Sequence, residues 1–208
     1  HALAGVVPFG LSGRNIRSVV TIHSLEFLRL RRFFSPLFNL YRRVIMLSSM
    51  RRADRIVAVS ECVKRDLVRY FHIDADKIDV IYGGCHSRFT QPVSNEQIEQ
   101  VRERYNLPER YLLVSGTHSA RKNLNHIIET LPQIDPTVSI VIVGRGTKHT
   151  EALTRRVKSL GMEHRVLMLH GVAAEDMPAI YHAALAYLML SLYEGFSTTI
   201  VEAITVGV

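Results

Sequence analysis

Two doubly wound, Rossmann-like α/β lobes are what this 208-residue sequence predicts. Three observations carry the prediction. Short runs rich in Val and Ile alternate with longer amphipathic stretches. The alternation restarts after a polar interval near residues 83–95. Each apolar run ends in a cluster of Gly, hydroxyl or charged residues. Strands that are apolar throughout must be covered on both faces, and parallel sheets flanked by helices achieve that. On such sheets ligands bind beyond the carboxyl ends of the strands, where the polar clusters fall.

The elements follow in order. "SVVTIH" (18–23) is a strand, and "FFSPLFNLYRRVIMLSSMRR" is mostly helix with Pro36 at its start. "DRIVAVS" (54–60) is a second strand, and Ser60 caps the helix "ECVKRDLVRYF". "KIDVIY" (77–82) closes the first block at Gly83-Gly84, and a helix ends near Tyr105. The second block runs "RYLLVSG", "NLNHIIETLPQI", "VSIVIVG", "TEALTRRVKSLG", "RVLMLHG", "EDMPAIYHAA", "LAYLMLS" and "TTIVEAI". The expected domains are a partial N-terminal lobe over 1–90, a linker region over 91–104 and a truncated C-terminal lobe over 105–208. The start without Met and the end in "AITVGV" predict a piece of a longer protein.

Composition narrows the function classes. With 47% hydrophobic and 22% charged residues the chain can bury a core. No apolar run approaches the roughly 20 residues of a membrane helix. Cys62 and Cys85 match no metal or redox spacing, and a reducing cytoplasm is the expected setting. The net charge of +7 is unevenly placed: 13 Lys/Arg stand against 4 Asp/Glu up to Ile73, and 13 against 15 thereafter. The first third therefore suits an anionic surface. The ten His are scattered, with no HExxH, so no metal site is read.

Two clusters suggest chemistry. In "SLYEGFSTTIVEA" (191–203), a strand passes to a helix capped by Ser197 or Thr198. Such a helix start offers unpaired N–H groups and partial positive charge, suited to phosphate. Gly195 admits close backbone approach. Glu194 on the loop and Glu202 on the second turn can each accept from ligand hydroxyls. Acids near a helix start also simply complement its dipole. In "VSGTHSARKNLNHI" (114–127), Arg121 and Lys122 are expected to enter a helix after a strand. That places a guanidinium fork and a point charge where a pyrophosphate could sit. The alternative is a solvated Arg-Lys pair.

At these residues the chain resembles a family. "EGFSTTIVEA" resembles the E-x7-E signature of retaining glycosyltransferases of family 4, group 1, which have the GT-B fold. "GTHSARKN" resembles their G-T-x-x-x-R-K-N loop. "ADRIVAVSECVKRDLVRYFHIDADKIDVIYGG", "VVTIHS" and "RVLMLHGVAAEDMPAIYHAA" resemble three further family segments in the same order. The resemblance implies that Glu194 binds donor-sugar hydroxyls and Glu202 the donor ribose. It implies that Arg121 and Lys122 neutralise the diphosphate, and that Gly116, Gly195, Phe196 and Ser197 line the pocket. It also implies that Val172 lies at the base and that His23 faces the sugar. It further implies retention of the anomeric configuration, a nucleotide-diphosphate sugar as donor, and no metal or other cofactor. The acceptor would be a saccharide or lipid-linked. Terminal parts of that fold are not visible, so this piece alone is expected to be inactive.

Segment 29–55 holds eight Arg with Phe33, Phe34, Leu37 and Phe38 interleaved. It reads either as a surface for anionic lipid, making the protein peripheral, or as an ordinary solvated helix face. No nucleic-acid module is present. The readings that stand against an enzyme are a non-catalytic nucleotide-sugar-binding relative and a membrane-surface scaffold.

Overall fold

The computed structural model describes residues 1–3, 5–7 and 17–208. It divides into two compact units, one of residues 1–83 with 193–197 and the other of 84–192 with 198–208.

The first unit is built on a parallel three-stranded sheet in the order β1 (Val19–Ile22), β2 (Arg55–Ala58), β3 (Ile78–Val80). The short helix α1 (Glu26–Arg29) and the long helix α2 (Pro36–Arg52) follow β1. Pro36 opens α2 as expected, and the Ser35 hydroxyl accepts from the Phe38 N–H at 3.2 Å. Ser60 caps α3 (Glu61–Phe71) by accepting from Val63 N at 3.2 Å. The apolar stripe of α3, with Val63, Leu67 and Phe71, joins Val20, Ile22, Ile56 and Ile78 in one core. Burying each such side chain contributes about 1.5–3 kcal/mol.

The second unit carries a parallel four-stranded sheet in the order β6 (Val166–Leu169), β5 (Ser139–Val143), β4 (Tyr111–Ser115), β7 (Ala186–Tyr187). Every residue of β5 is buried, the mark of a central strand covered on both faces. One core holds α4 (Asn95–Tyr105) and α7 (Met177–His182) against Tyr111, Leu113 and Val141. The other holds α5 (Leu124–Thr130) and α6 (Lys148–Ser159) against Ile140 and Ile142. The last helix, α8 (Thr198–Val206), adds Ala203 to the first of these cores.

Two expectations need adjustment. Residues 84–104, read as a lobe end and linker, pack into the second unit. Phe89 is buried there, edge-on to Tyr181 at 5.7 Å, and Ile98 and Val101 of α4 are buried beside it. "LAYLMLS" predicts a full strand, but pairing lasts only through Ala186–Tyr187. Leu188 N makes one more bond, to Leu113 O at 2.8 Å, and the chain then leaves the sheet. Composition alone does not tell where an edge strand stops pairing.

Arg165, just before β6, is buried and donates only to backbone carbonyls. Nε and Nη2 reach Val138 O at 3.1 and 2.7 Å, Nη1 reaches Leu131 O at 3.2 Å, and Nη2 reaches Asp135 O at 2.7 Å. These bonds tie the turn after α5 to the start of β5. Truncation would leave several carbonyls without donors. Arg165→Ala is expected to lose about 3 kcal/mol of stability in urea denaturation. Arg165→Lys should recover only part of it, because an ammonium cannot fork to so many acceptors.

Candidate functional site

In the second unit the strand-end loops of β4, β5 and β6 lie against one another. Gly116 follows β4 with φ +122°, a conformation that favours glycine, and its N–H donates to Val143 O at 2.9 Å. A Cβ at Gly144, after β5, would lie 1.9 Å from Gly116 O, so only glycine permits this approach. His118 N donates to Arg145 O at 3.0 Å, and the Thr147 hydroxyl donates to His118 O. The His170 ring, after β6, lies 2.7 Å through Nδ1 from Gly144 O. A carbonyl only accepts, so His170 Nδ1 carries the proton. His118 is 1% exposed, its Nδ1 is 3.2 Å from Thr150 Oγ1, and its ring centre is 5.2 Å from that of His170. Burial, and then the neighbouring His170, push its pKa down, which keeps it neutral.

Arg121 and Lys122 depart from the expected helix start. They lie on a 3-10 turn, Ala120–Lys122, and Asn123 at φ 56° separates that turn from α5. The two cations therefore belong to the loop before α5 and not to its first turn. Lys122 folds back over Gly116: a Cβ there would be 2.9 Å from Lys122 Cε and 3.3 Å from Nζ. Arg121 O accepts from Leu192 N at 2.9 Å, which fixes the turn against the chain that leaves β7.

Glu202 stands on the second turn of α8, half-buried. Its Oε2 accepts from the Tyr181 hydroxyl at 3.0 Å, and that hydroxyl is 2.7 Å from Ser115 Oγ at the end of β4. Ser115 Oγ is also 3.2 Å from the Tyr187 hydroxyl, which is 2.8 Å from Thr199 Oγ1. Burial raises the Glu202 pKa most, while the Tyr181 hydrogen bond and the Arg88 charge pull it down. Val172, after Gly171 at φ 69°, packs partly buried against the α4/α7 core. The second unit thus gathers Gly116, Lys122, Arg121 and, through Ser115 and Tyr181, Glu202.

The first unit gathers the others. Tyr193–Ser197 belong to it, with Glu194 half-buried and Gly195 buried. A Cβ at Gly195 would lie 1.9 Å from His23 O, which explains the glycine between Glu194 and Phe196. Ser60 Oγ donates to Gly195 O at 2.5 Å. Tyr193 donates to Asp66 Oδ2 at 3.2 Å, and Arg29 Nε stands 3.7 Å from the same oxygen. Burial, with Asp66 beside it, raises the Tyr193 pKa. Phe196 packs over Gly83, 6.1 Å from the Tyr82 ring, and the half-buried Ser197 ends the segment. His23 is exposed at the end of β1, with Nε2 3.0 Å from Leu3 O. Asp66, Ser60, Tyr181 and Ser115 were not readable as site residues. A buried hydroxyl carries no spacing signal until its partner is known. Asp74-Ala-Asp76 spells D-x-D, but Asp74 Oδ1 accepts from Asp76 N at 3.0 Å as a local cap.

Comparison with known proteins adds the context. Residues 95–208 match the family described as glycosyl transferases group 1, and residues 1–89 match glycosyltransferase family 4. The chain is 26% identical over 187 residues to the O-antigen chain mannosyltransferase RfbU of Salmonella typhimurium, covering 88% of this chain and 48% of that one. It is 27% identical over 206 residues to the O-antigen chain mannosyltransferase B of Escherichia coli, covering 96% and 54%. The chain thus spans about half the length of these relatives. Among solved structures, Anabaena HepE in complex with UDP and glucose superposes with a TM-score of 0.76 at 24% identity, over 91% of this chain and 50% of that one. This likeness establishes the GT-B fold.

The raised pKa of Glu202 has a consequence for stability. The folded state favours the protonated acid, so the contribution is full below the unfolded pKa and is lost as pH rises through the folded one. Glu202→Gln, neutral at every pH, is expected to melt roughly 1–3 °C above the parent at pH 7. The gain should vanish below about pH 4, where the acid is protonated in both states.

Proposed function

The chain belongs to the group 1 glycosyltransferases, and we propose that it is the sugar-transferring part of an enzyme that uses a nucleotide-diphosphate sugar. One observation carries the proposal: Lys122 is folded over Gly116 at the strand end whose Ser115 is linked through Tyr181 to Glu202. A cation and an acid at one strand end fit the diphosphate and the hydroxylated group of such a donor.

The chemistry follows from charge. As the bond from the sugar C1 to the diphosphate breaks, negative charge grows on the leaving phosphate. Lys122 as a point charge and Arg121 as a fork stabilise that charge more than the ground state, which lowers the barrier. The Gly116 carbonyl fills the space beside Gly144, and the Lys122 side chain fills the space beside Gly116, which holds the ammonium at the end of β4. Glu202 accepts from ribose hydroxyls. Glu194, held by the Tyr193–Asp66 and Gly195–Ser60 bonds, accepts from sugar hydroxyls together with His23. The family resemblance gives Phe196 and Ser197 a role toward the sugar and Val172 a role toward the base. Transfer keeps the anomeric configuration and uses the protein's cations in place of a metal ion.

The acceptor is a saccharide or a lipid-linked saccharide, in keeping with the O-antigen chain relatives. Helix α2 supports a peripheral site at an anionic membrane face. Leu37 is 77% exposed, and Phe38, Leu40, Tyr41 and Val44 are exposed on the same helix. Nearby, a recess of about 340 Å³ is lined by Leu28, Phe34 and Leu40 with Arg31 and Arg43. Cations flanking exposed apolar side chains suit anionic headgroups, at about 1 kcal/mol per cation. Among the described residues no helix is long and apolar enough to cross a membrane.

Three experiments check these readings. Lys122→Ala in the intact protein is expected to lower turnover by roughly 10²–10³-fold with the fold retained. In a thermal-shift panel of UDP-, GDP- and ADP-sugars, one donor should stabilise the parent and fail to stabilise Glu202→Ala. A shift without any turnover would make the protein a nucleotide-sugar binder instead. In vesicle sedimentation, binding should favour anionic over neutral vesicles and fade with salt. Equal binding to both would remove the electrostatic surface.

A further inference from the structure

Resting on the assignment of Glu202 to the donor, we propose that Tyr181 is a positioning residue for it. Its buried hydroxyl fixes the carboxylate by one oxygen, so that the other is presented to the ligand.

The geometry commits the protons. Tyr181 has one hydroxyl proton, and Glu202 Oε2 accepts it at 3.0 Å. The hydroxyl of Ser115, 2.7 Å away, must then donate to Tyr181, because Tyr181 has no second proton to give. The Tyr187 hydroxyl, 3.2 Å from Ser115 Oγ and 2.8 Å from Thr199 Oγ1, holds the far side of the chain. The arrangement joins the end of β4, helix α7, strand β7 and the first two turns of α8. It fixes the Glu202 carboxylate to the strand end that Gly116 follows. The Tyr187 hydroxyl donates to Thr199, so its contact with Ser115 Oγ is a packing contact and not a further proton in the chain. A hydroxyl donating to a carboxylate makes a charge-assisted bond.

Tyr181 is fully buried, with its ring edge-on to Phe89 at 5.7 Å and tilted to Tyr187 at 5.4 Å. Packing therefore explains the ring. It does not explain a hydroxyl aimed at a half-buried carboxylate. Tyr111 supplies the contrast. It is equally buried, but its hydroxyl donates to Ile180 O at 2.6 Å, a backbone acceptor rather than a carboxylate. Its role is architectural.

The test uses Tyr181→Phe in the intact protein, with Tyr111→Phe and Glu202→Gln beside it. UDP-glucose, GDP-mannose and ADP-glucose are titrated calorimetrically across pH. Tyr181→Phe is expected to weaken binding of the preferred donor roughly tenfold, the loss of one hydrogen bond to a charged group. Without that bond the carboxylate ionises less readily, so the acid limb of binding should move to higher pH. Tyr111→Phe should lower the melting temperature while leaving affinity and acid limb unchanged. If Glu202→Gln weakens binding but Tyr181→Phe changes neither affinity nor acid limb, the positioning role is refuted and the Glu202 assignment stands. If Glu202→Gln binds as the parent does, or no donor binds the parent, the assignment fails and takes this inference with it.

Discussion

A Cβ at position 144 would sit 1.9 Å from the carbonyl oxygen of Gly116. That closeness is the constraint on which the second unit's strand ends depend. Parallel strands β4 and β5 run side by side in register from Tyr111 opposite Ser139 to Ser115 opposite Val143. Their following turns must then diverge or interlock. Two glycines allow them to interlock, and the positive φ of Gly116 turns its loop so that Lys122 lies back across it. The bonds from His118 to Arg145, from Thr147 to His118 and from His170 to Gly144 then close the three loops into one surface.

The first unit solves a similar problem differently. Its segment Tyr193–Ser197 is held by one buried carboxylate and one capping hydroxyl. Asp66, 4% exposed, accepts from Tyr193 and faces Arg29 at 3.7 Å. Ser60 serves two tasks, accepting from Val63 to cap α3 and donating to Gly195 O. A hydroxyl can do both, since it carries one proton and spare lone pairs. This fixes the backbone on either side of Glu194. Such pre-organisation matters where a side chain must meet a ligand hydroxyl at hydrogen-bond distance.

Much of the fold was legible because parallel strands announce themselves. "VSIVIVG" is buried at every strand position, and a strand of that kind must lie inside a covered sheet. The Ser60 and Pro36 signals placed two helix starts correctly, since caps act locally. The end of β7 was not legible: whether Leu188 to Ser191 keep pairing depends on the neighbouring strand. The helix start assigned to Arg121 and Lys122 failed because Asn123 takes a left-handed conformation that its composition permits but does not demand.

The candidate site shows the same division. Charged members stood out in the sequence because two phosphate-compatible clusters, each with a glycine, fall at strand ends of the same lobe. Their supports did not. Ser115, Tyr181, Ser60 and Asp66 are ordinary residues whose importance comes from partners 66, 135 and 127 positions away. Long-range pairing is a property of topology, and only the folded chain displays it. On the proposed function, the strand-end loops of the second unit form one cradle for a nucleoside diphosphate. Hydrogen–deuterium exchange of the intact protein, with and without UDP or GDP, tests it most directly. Protection concentrated at 115–123, 144–147, 170–172 and the first turns of α8 is the predicted result. Protection confined to other segments, with these loops unchanged by saturating nucleotide, would contradict it.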